Sequence, residues 1–458
     1  MEAGLIKAAQ LILSLSILVI IHEFGHYILA RIFKTRVEKF YLFFDPWFSL
    51  IKFKKGDTEY GIGWVPLGGY VKISGMIDES MDKEAMKLPP QPYEFRAKKS
   101  WQRLLIMLGG VVMNFLLAFI IYIGILYAWG EEYLPTENVK YGIEVDSIGK
   151  RLGLQNGDKI LSVDHKKVEN FLQIIPTVIL DNASTIQVER NGQPVDVKIP
   201  EEEMAVLIKS SKEVISYRIP FDYRIAGIIN NSAAKAAGLV QGDKILGMNN
   251  QKYEYNDQFK STLKDSIGKT VALNVLRNNQ ELTVPLTIPP TGMLGIQLAL
   301  DITKIFEYKT IRYGLLESIP AGINKGINTL QNYLKNLKLV FSPKTKAYES
   351  LGGFIAIGNI FPGMWNWASF WTMTALLSII LGVMNLLPIP ALDGGHVMFL
   401  VFEMVTGRKP GDKFLEYAQI TGMVLLLTLM IYANGNDIHK YFGHDLLNLW
   451  HHFMNLFK

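Results

Sequence analysis

Long uncharged blocks alternate with polar ones along this chain, and the pattern predicts its main elements. Residues 104–130 are 27 consecutive uncharged positions dominated by Ile, Leu, Val and Phe. As a helix they span the roughly 30 Å of a bilayer's hydrocarbon. Residues 417–436 form another such block of 20. Residues 350–392 are uncharged for 43 positions, too many for one span. Pro362 and nearby glycines interrupt that block, which predicts a looped or re-entrant approach and then a helix over 370–387. Residues 8–30 lack Lys and Arg, yet contain His22, Glu23 and His26. A cleaved signal peptide is the alternative there, but no small-residue cleavage site follows and the apolar run leads straight into three ionisable residues. A retained membrane helix is expected.

The polar region between the second and third spans contains an internal repeat. Gly153, Leu154, Gly157, Asp158, Ile160 and Leu161 recur 85 positions on as Gly238, Leu239, Gly242, Asp243, Ile245 and Leu246. Val188, Arg190, Asn191 and Gln193 recur 87 positions on as Val275, Arg277, Asn278 and Gln280. A unit of that length is a small domain rather than a solenoid module. Apolar alternation over 186–199 and 271–288, broken by Asn-Gly or Asn-Asn, predicts β-hairpins. The repeated block resembles the PDZ family of bacterial envelope proteases, which implies peptide binding by strand addition in a groove. Expected boundaries are 131–215 for the first such domain and 216–300 for the second. Residues 301–349, centred on 308–341, read as one or two amphipathic membrane-proximal helices, with a soluble helical linker as the alternative.

Composition narrows the class. Hydrophobic residues make up 49% and charged ones only 19%, against about a quarter in soluble domains. The net charge of +5 is too small over 458 residues to argue for nucleic acid. Its location is informative: residues 31–103 hold 14 Lys and Arg against 9 Asp and Glu, and the remainder is balanced. By the positive-inside rule this loop is cytoplasmic, which places the repeats outside and the end of the third span inside. With no cysteine, thiolate metal sites and a Cys nucleophile are excluded.

His22-Glu23-Phe24-Gly25-His26 is an HExxH string. On a helix, positions i and i+4 share a face, so both imidazoles can grip one metal ion, and the Glu can act as general base toward a water. A polar contact between packed helices would use the same residue types. Ionisable groups in an apolar helix are costly without a function, which favours the metal reading. A third ligand is still required if one position is to stay open. Asp393 is the candidate, in a stretch running from Asn385 through Pro388, Pro390, Gly394 and Gly395 to His396. Prolines and glycines let that backbone turn inward, although an Asp-Gly-Gly can equally be a surface turn.

The two motifs together resemble the site-2 protease family of intramembrane zinc metalloproteases, over essentially the whole chain. The resemblance implies an α-helical polytopic membrane protein with four transmembrane helices, a membrane-dipping β-hairpin and two inserted α+β PDZ domains. It makes His22, His26 and Asp393 the ligands of Zn2+ and Glu23 the general base. Asn385 is similar to a residue that contacts the substrate backbone. Gly110 to Asn114 is similar to an element that orders the site, and Asn114 is counted with the substrate-binding positions. Residues 56–71 resemble the hairpin beside the metal, whose Gly68, Gly69, Tyr70 and Val71 would meet substrate. Residues 95–103 resemble the approach to the second span. Phe354 departs from the pattern, where Pro is expected.

The implied partners are transmembrane substrates, namely an anti-sigma factor and signal-peptide remnants, with membrane lipid and no nucleic acid. The implied setting is a bacterial inner membrane, the PDZ domains periplasmic, the active site towards the cytoplasm and the chain monomeric. Three other readings use the same residues: an ion or metal transporter with His22, Glu23, His26 and Asp393 as a relay, a non-catalytic PDZ scaffold, and a different membrane zincin. His396 is either a neighbour of the metal ligands or a surface residue. His439, His444, His451 and His452 read as interfacial, and Trp365, Trp367 and Trp371 as a membrane-interface belt.

Overall fold

The computed structural model describes residues 2–76, 89–210, 213–343 and 347–455. It divides into two compact units, one of Met1–Gly130, Arg312–Leu337 and Tyr348–Lys458, the other of Glu131–Ile311 with Lys338–Ala347.

The first unit is a helical bundle with a small sheet. Its helices are α1 (Glu2–Ile32), α2 (Ser100–Ala128), α3 (Leu315–Val340, whose last three residues count with the other unit), α4 (Phe354–Asn359), α5 (Trp367–Leu386), α6 (Asp393–Thr406) and α7 (Asp412–Asn455). Among the described residues, α1, α2, α5 and the Lys413–Gly443 part of α7 are long and apolar enough to cross a membrane. The four expected spans are these four helices, and α4 is the looped approach to the third.

Burial in α1 runs opposite to that of a soluble helix. Gln10, Ser14, Leu18, His22 and His26 are buried, four residues apart, while Ile12, Ile20, Phe24 and Ile28 face outward. Apolar surface costs nothing against lipid, so the polar stripe turns inward to find partners. Gln10 Nε2 donates to the Pro362 carbonyl at 2.8 Å, and Ser14 Oγ accepts from Thr374 of α5 at 3.0 Å. Gly25 lies directly on the Gly109 carbonyl of α2, a crossing that no Cβ would permit.

Residues 37–73 form four strands, β1 (Val37–Phe44), β2 (Ile51–Lys55), β3 (Thr58–Ile62) and β4 (Val65–Ile73), in the order β2-β3-β1-β4. The hairpin expected over 56–71 is therefore corrected. Its two arms, β3 and β4, are separated by β1, which pairs parallel with β3 and antiparallel with β4. The true hairpin turns at Gly56 and Asp57, where φ of +63° suits a glycine, and joins β2 to β3. Among the described residues β4 is an edge strand, a position that tolerates Pro66.

α3 crosses α2 at two glycines, Gly322 against Ile123 and Gly326 against Phe119. One amphipathic helix is thus packed on a membrane span rather than running as a free linker. At the start of α4, Phe354 N–H donates to Asn434 Oδ1 at 3.2 Å and Ala356 N–H to Asp437 Oδ2 at 2.9 Å, both acceptors on α7. A proline at 354 would forfeit the first bond. Trp365, Trp367 and Trp371 cluster round Phe370 at the start of α5. α7 continues well past residue 436, and the reading of His444, His451 and His452 falls on side chains outside the described ones.

The second unit holds two hydrophobic cores, one per repeat. The first is built on Leu154, Ile160, Ile174 and Ile186, the second on Leu239, Ile245, Phe259 and Leu273. Both predicted hairpins are present, with Arg190 opposite Gln193 and Arg277 opposite Gln280 across positive-φ turns. The repeated polar residues form the same staple twice. Arg190 donates two hydrogen bonds to Asp158 and one to the Gly153 carbonyl, and Arg277 does so to Asp243 and Gly238. The Arg277 guanidinium holds the Asp243 carboxyl below its ordinary value. Asn156 of the first repeat binds Asp257 of the second at 2.8 Å, and so does Arg218, which directly follows the strand Ile215–Tyr217 paired with Ile143–Val145 of the first repeat. Residues 301–311, grouped by the sequence with the membrane-proximal helices, instead return to the first repeat. Phe306 is buried in its core, and Lys309–Ile311 pairs with Glu131–Tyr133.

Candidate metal centre

His22 and His26 lie one turn apart on the inward stripe of α1, and their rings meet edge to face at 4.9 Å. α5 stops at Leu386, and α6 begins at Asp393 after the turn through Pro388 and Pro390. Gly394 rests on the Leu387 carbonyl and a Cβ on Gly395 would lie 2.6 Å from Pro390 Cα, so only glycines allow a helix to start that close. The turn carries Asp393 to the histidines.

Three donor atoms converge there. His22 Nε2 is 3.2 Å from Asp393 Oδ2, His26 Nε2 is 3.3 Å from it, and the two nitrogens are 3.3 Å apart. A tetrahedral ion with bonds near 2.0–2.1 Å, as zinc prefers, holds its donors about 3.3–3.4 Å apart. Apart from these two nitrogens, Asp393 Oδ2 is buried with no hydrogen-bond partner among the described residues, as expected of an atom whose partner is a cation. Among the described residues, this trio is the one group of His, Asp and Glu side chains able to share an ion.

The surrounding groups set the donors. His26 Nδ1–H donates to the Ile106 carbonyl at 2.8 Å, which leaves the Nε2 lone pair free. Asn114 is fully buried with its amide 3.0 Å from His22 Nδ1, and its Oδ1 has no partner among the described residues. Exchanging the two ends of that amide satisfies Oδ1 with His22 Nδ1–H and frees Nε2 here too. Asn114 therefore touches His22, as suits an element that orders the site. Gly110 supplies the floor, where a Cβ would lie 2.5 Å from His26 Nε2 and 2.6 Å from His22 Cε1.

Two more predicted residues reach the centre. Asn385, on the last turn of α5, has its Nδ2 3.2 Å from His22 Nε2. Glu23 stands beside the donors, with the backbone of Val71 on β4 next to its carboxylate. A Cβ on Gly69, two residues before Val71, would lie 2.6 Å from Val19, one helical turn before Glu23, so β4 runs along α1 at the depth of the site. Gly68 precedes this contact on the same strand. The Tyr70 side chain points elsewhere, donating to Asp45 Oδ1 at 2.9 Å and stacking on Tyr41, so only its backbone is left to meet a ligand. His396 lines a small cavity with Arg103 and Glu403 and supplies none of the three donors.

The family model of peptidase family M50 matches residues 10–429. The chain belongs to peptidase family M50. The enzyme class read from the two motifs thus holds, and the peptidase is similar to several known relatives. The regulator of sigma-E protease RseP of Escherichia coli is 30% identical over 455 residues, 94% of this chain and 98% of that one. The regulator of sigma E protease of Haemophilus influenzae is 29% identical over 452 residues, 93% and 97% of the two chains. A Rickettsia conorii protein with zinc metalloprotease in its name is 28% identical over 439 residues, 94% and 98%.

Some of the site left no trace in the sequence reading. The Ile106 carbonyl has no side-chain signal. Gln419 did have one, as a polar residue within an apolar run, and its partner is described below.

Proposed function

We propose that the peptidase is an intramembrane zinc endopeptidase that cuts transmembrane segments of other proteins. The observation that carries this reading is the triangle of His22, His26 and Asp393 donors at zinc spacing, on helices able to cross a membrane. When bound there, zinc supplies a Lewis acid for the scissile carbonyl and lowers the pKa of water. Glu23 accepts the proton of the attacking water and delivers it to the leaving amine. A membrane helix has its amides internally bonded and must unwind before attack. The outer edge of β4, unpaired among the described residues around Gly68 to Val71, takes the unwound segment as an added strand, while Asn385 holds its backbone. Replacing one of three ligands tests the site: Asp393→Asn, purified as full-length protein, is expected to hold less than about a tenth of the wild-type zinc. Equal zinc in both proteins would refute the ligand set.

The basic 31–103 loop supports a topology with the centre towards the cytoplasm and the repeats outside. The two repeats act as PDZ domains and as a size filter. Their linkage through Arg218, Asn156 and Asp257 supports a rigid pair. The relatives named for sigma-E suggest an anti-sigma factor already trimmed by a first protease, and signal-peptide remnants, as substrates. Deleting residues 135–300 leaves both strands at the base of the second unit in place. That variant is expected to cut substrates with intact ectodomains that the full chain refuses. Unchanged selectivity in a cleavage assay would reject the filter.

A further inference from the structure

Asp393 is aimed by the six residues between α5 and α6, and one of them is in an unfavourable conformation. Ala391 has φ of +81°, a region that L side chains avoid because of Cβ. A return to negative φ would swing the backbone two residues before Asp393 and re-aim its carboxylate. The prolines on either side of Ile389 do not hold this angle, since each fixes only its own φ. The hold comes from the last membrane helix. Gln419 of α7 is buried, and its Oε1 accepts the Ala391 N–H at 3.2 Å. Gly422, one turn on, brings the α7 backbone directly against the Pro390 carbonyl, where no Cβ fits. A Gln in an apolar span is costly unless its amide has a partner inside the protein, and this one is spent on the strained residue.

We infer that Gln419 is a positioning residue for the metal centre: it locks Ala391 in its left-handed conformation so that Asp393 completes the donor triangle. The inference rests on the reading of His22, His26 and Asp393 as the zinc site. It makes the docking of α7 a determinant of metal affinity, although α7 supplies no ligand.

Zinc affinity by chelator competition on the full-length peptidase tests it, beside thermal unfolding of the zinc-free protein. Gln419→Leu is expected to weaken zinc binding about tenfold, the scale of an outer-shell partner. Ala391→Gly adopts the same φ without strain and is expected to stay within about twofold of wild type. The double variant is expected to recover most of the loss, because a glycine no longer needs the lock. Wild-type affinity in Gln419→Leu would overturn the inference. So would an unrescued double variant whose zinc-free form melts earlier, which would make Gln419 a packing residue only. Asp393→Asn separates the two ideas. If it also keeps full affinity, the zinc site itself is misread; if it alone loses zinc, only the role of Gln419 falls.

Discussion

Glu23→Gln is expected to abolish cleavage of a transmembrane model substrate in detergent while leaving zinc content unchanged. The reason is a division of labour within one helical turn. His22 and His26 place their Nε2 atoms in the donor triangle, and Glu23 is not among the atoms that can share the ion. Its carboxylate instead lies next to the backbone of Val71 on β4. Gln keeps the length and shape of the side chain, so its fit against the strand stays as it is. It cannot accept a proton. General base catalysis contributes about 10²–10⁴-fold, and a loss in that range with intact zinc is the expected signature. Glu23→Asp restores the proton acceptor but not the reach, and is expected to recover only part of the rate. Cleavage by Glu23→Gln at more than a tenth of the wild-type rate would remove Glu23 from the reaction. The transporter reading makes the opposite demand, ion flux without peptide cleavage.

The spans and the histidine pair were legible because each rests on a short-range rule. Lack of charge over 20 or more positions fixes a membrane helix, and spacing of four fixes a shared face. Asp393 was legible only through its flanking Pro and Gly residues, whose backbone freedom has a direct spatial consequence. The sheet was misjudged because β3 and β4 are adjacent in sequence while β1 comes between them, a non-local pairing that alternation cannot reveal. Asn114 is legible as part of the element running from Gly110 that orders the site. Its type suits both a substrate contact and a contact to a histidine, and its full burial beside His22 is what the sequence does not show. The return of residues 301–311 to the first repeat turns on Phe306, whose partners lie far back in the chain.

Gly110→Ala is expected to destroy the centre without dismantling the bundle. A methyl group there would stand 2.5 Å from His26 Nε2 and 2.6 and 2.8 Å from two atoms of the His22 ring. Neither ring can swing away cheaply, since His26 is bonded to the Ile106 carbonyl and His22 to Asn114. Both donors must therefore leave the triangle together. Disturbing one outer-shell partner costs about 10–100-fold in metal affinity, and displacing two ligands exceeds the top of that range. Two other substitutions set the scale. Gly124→Ala, on the same helix with nothing within 4 Å, gains only helix propensity and is expected to leave zinc binding and cleavage intact. Gly25→Ala meets the backbone of α2 and is expected to fail as a fold, with loss of folded protein. Gly110→Ala should differ from both, giving a monodisperse, helical protein in detergent that binds zinc more than ~100-fold less tightly and does not cleave. Wild-type zinc affinity in that variant would mean that the two imidazoles do not meet an ion from this side of α2.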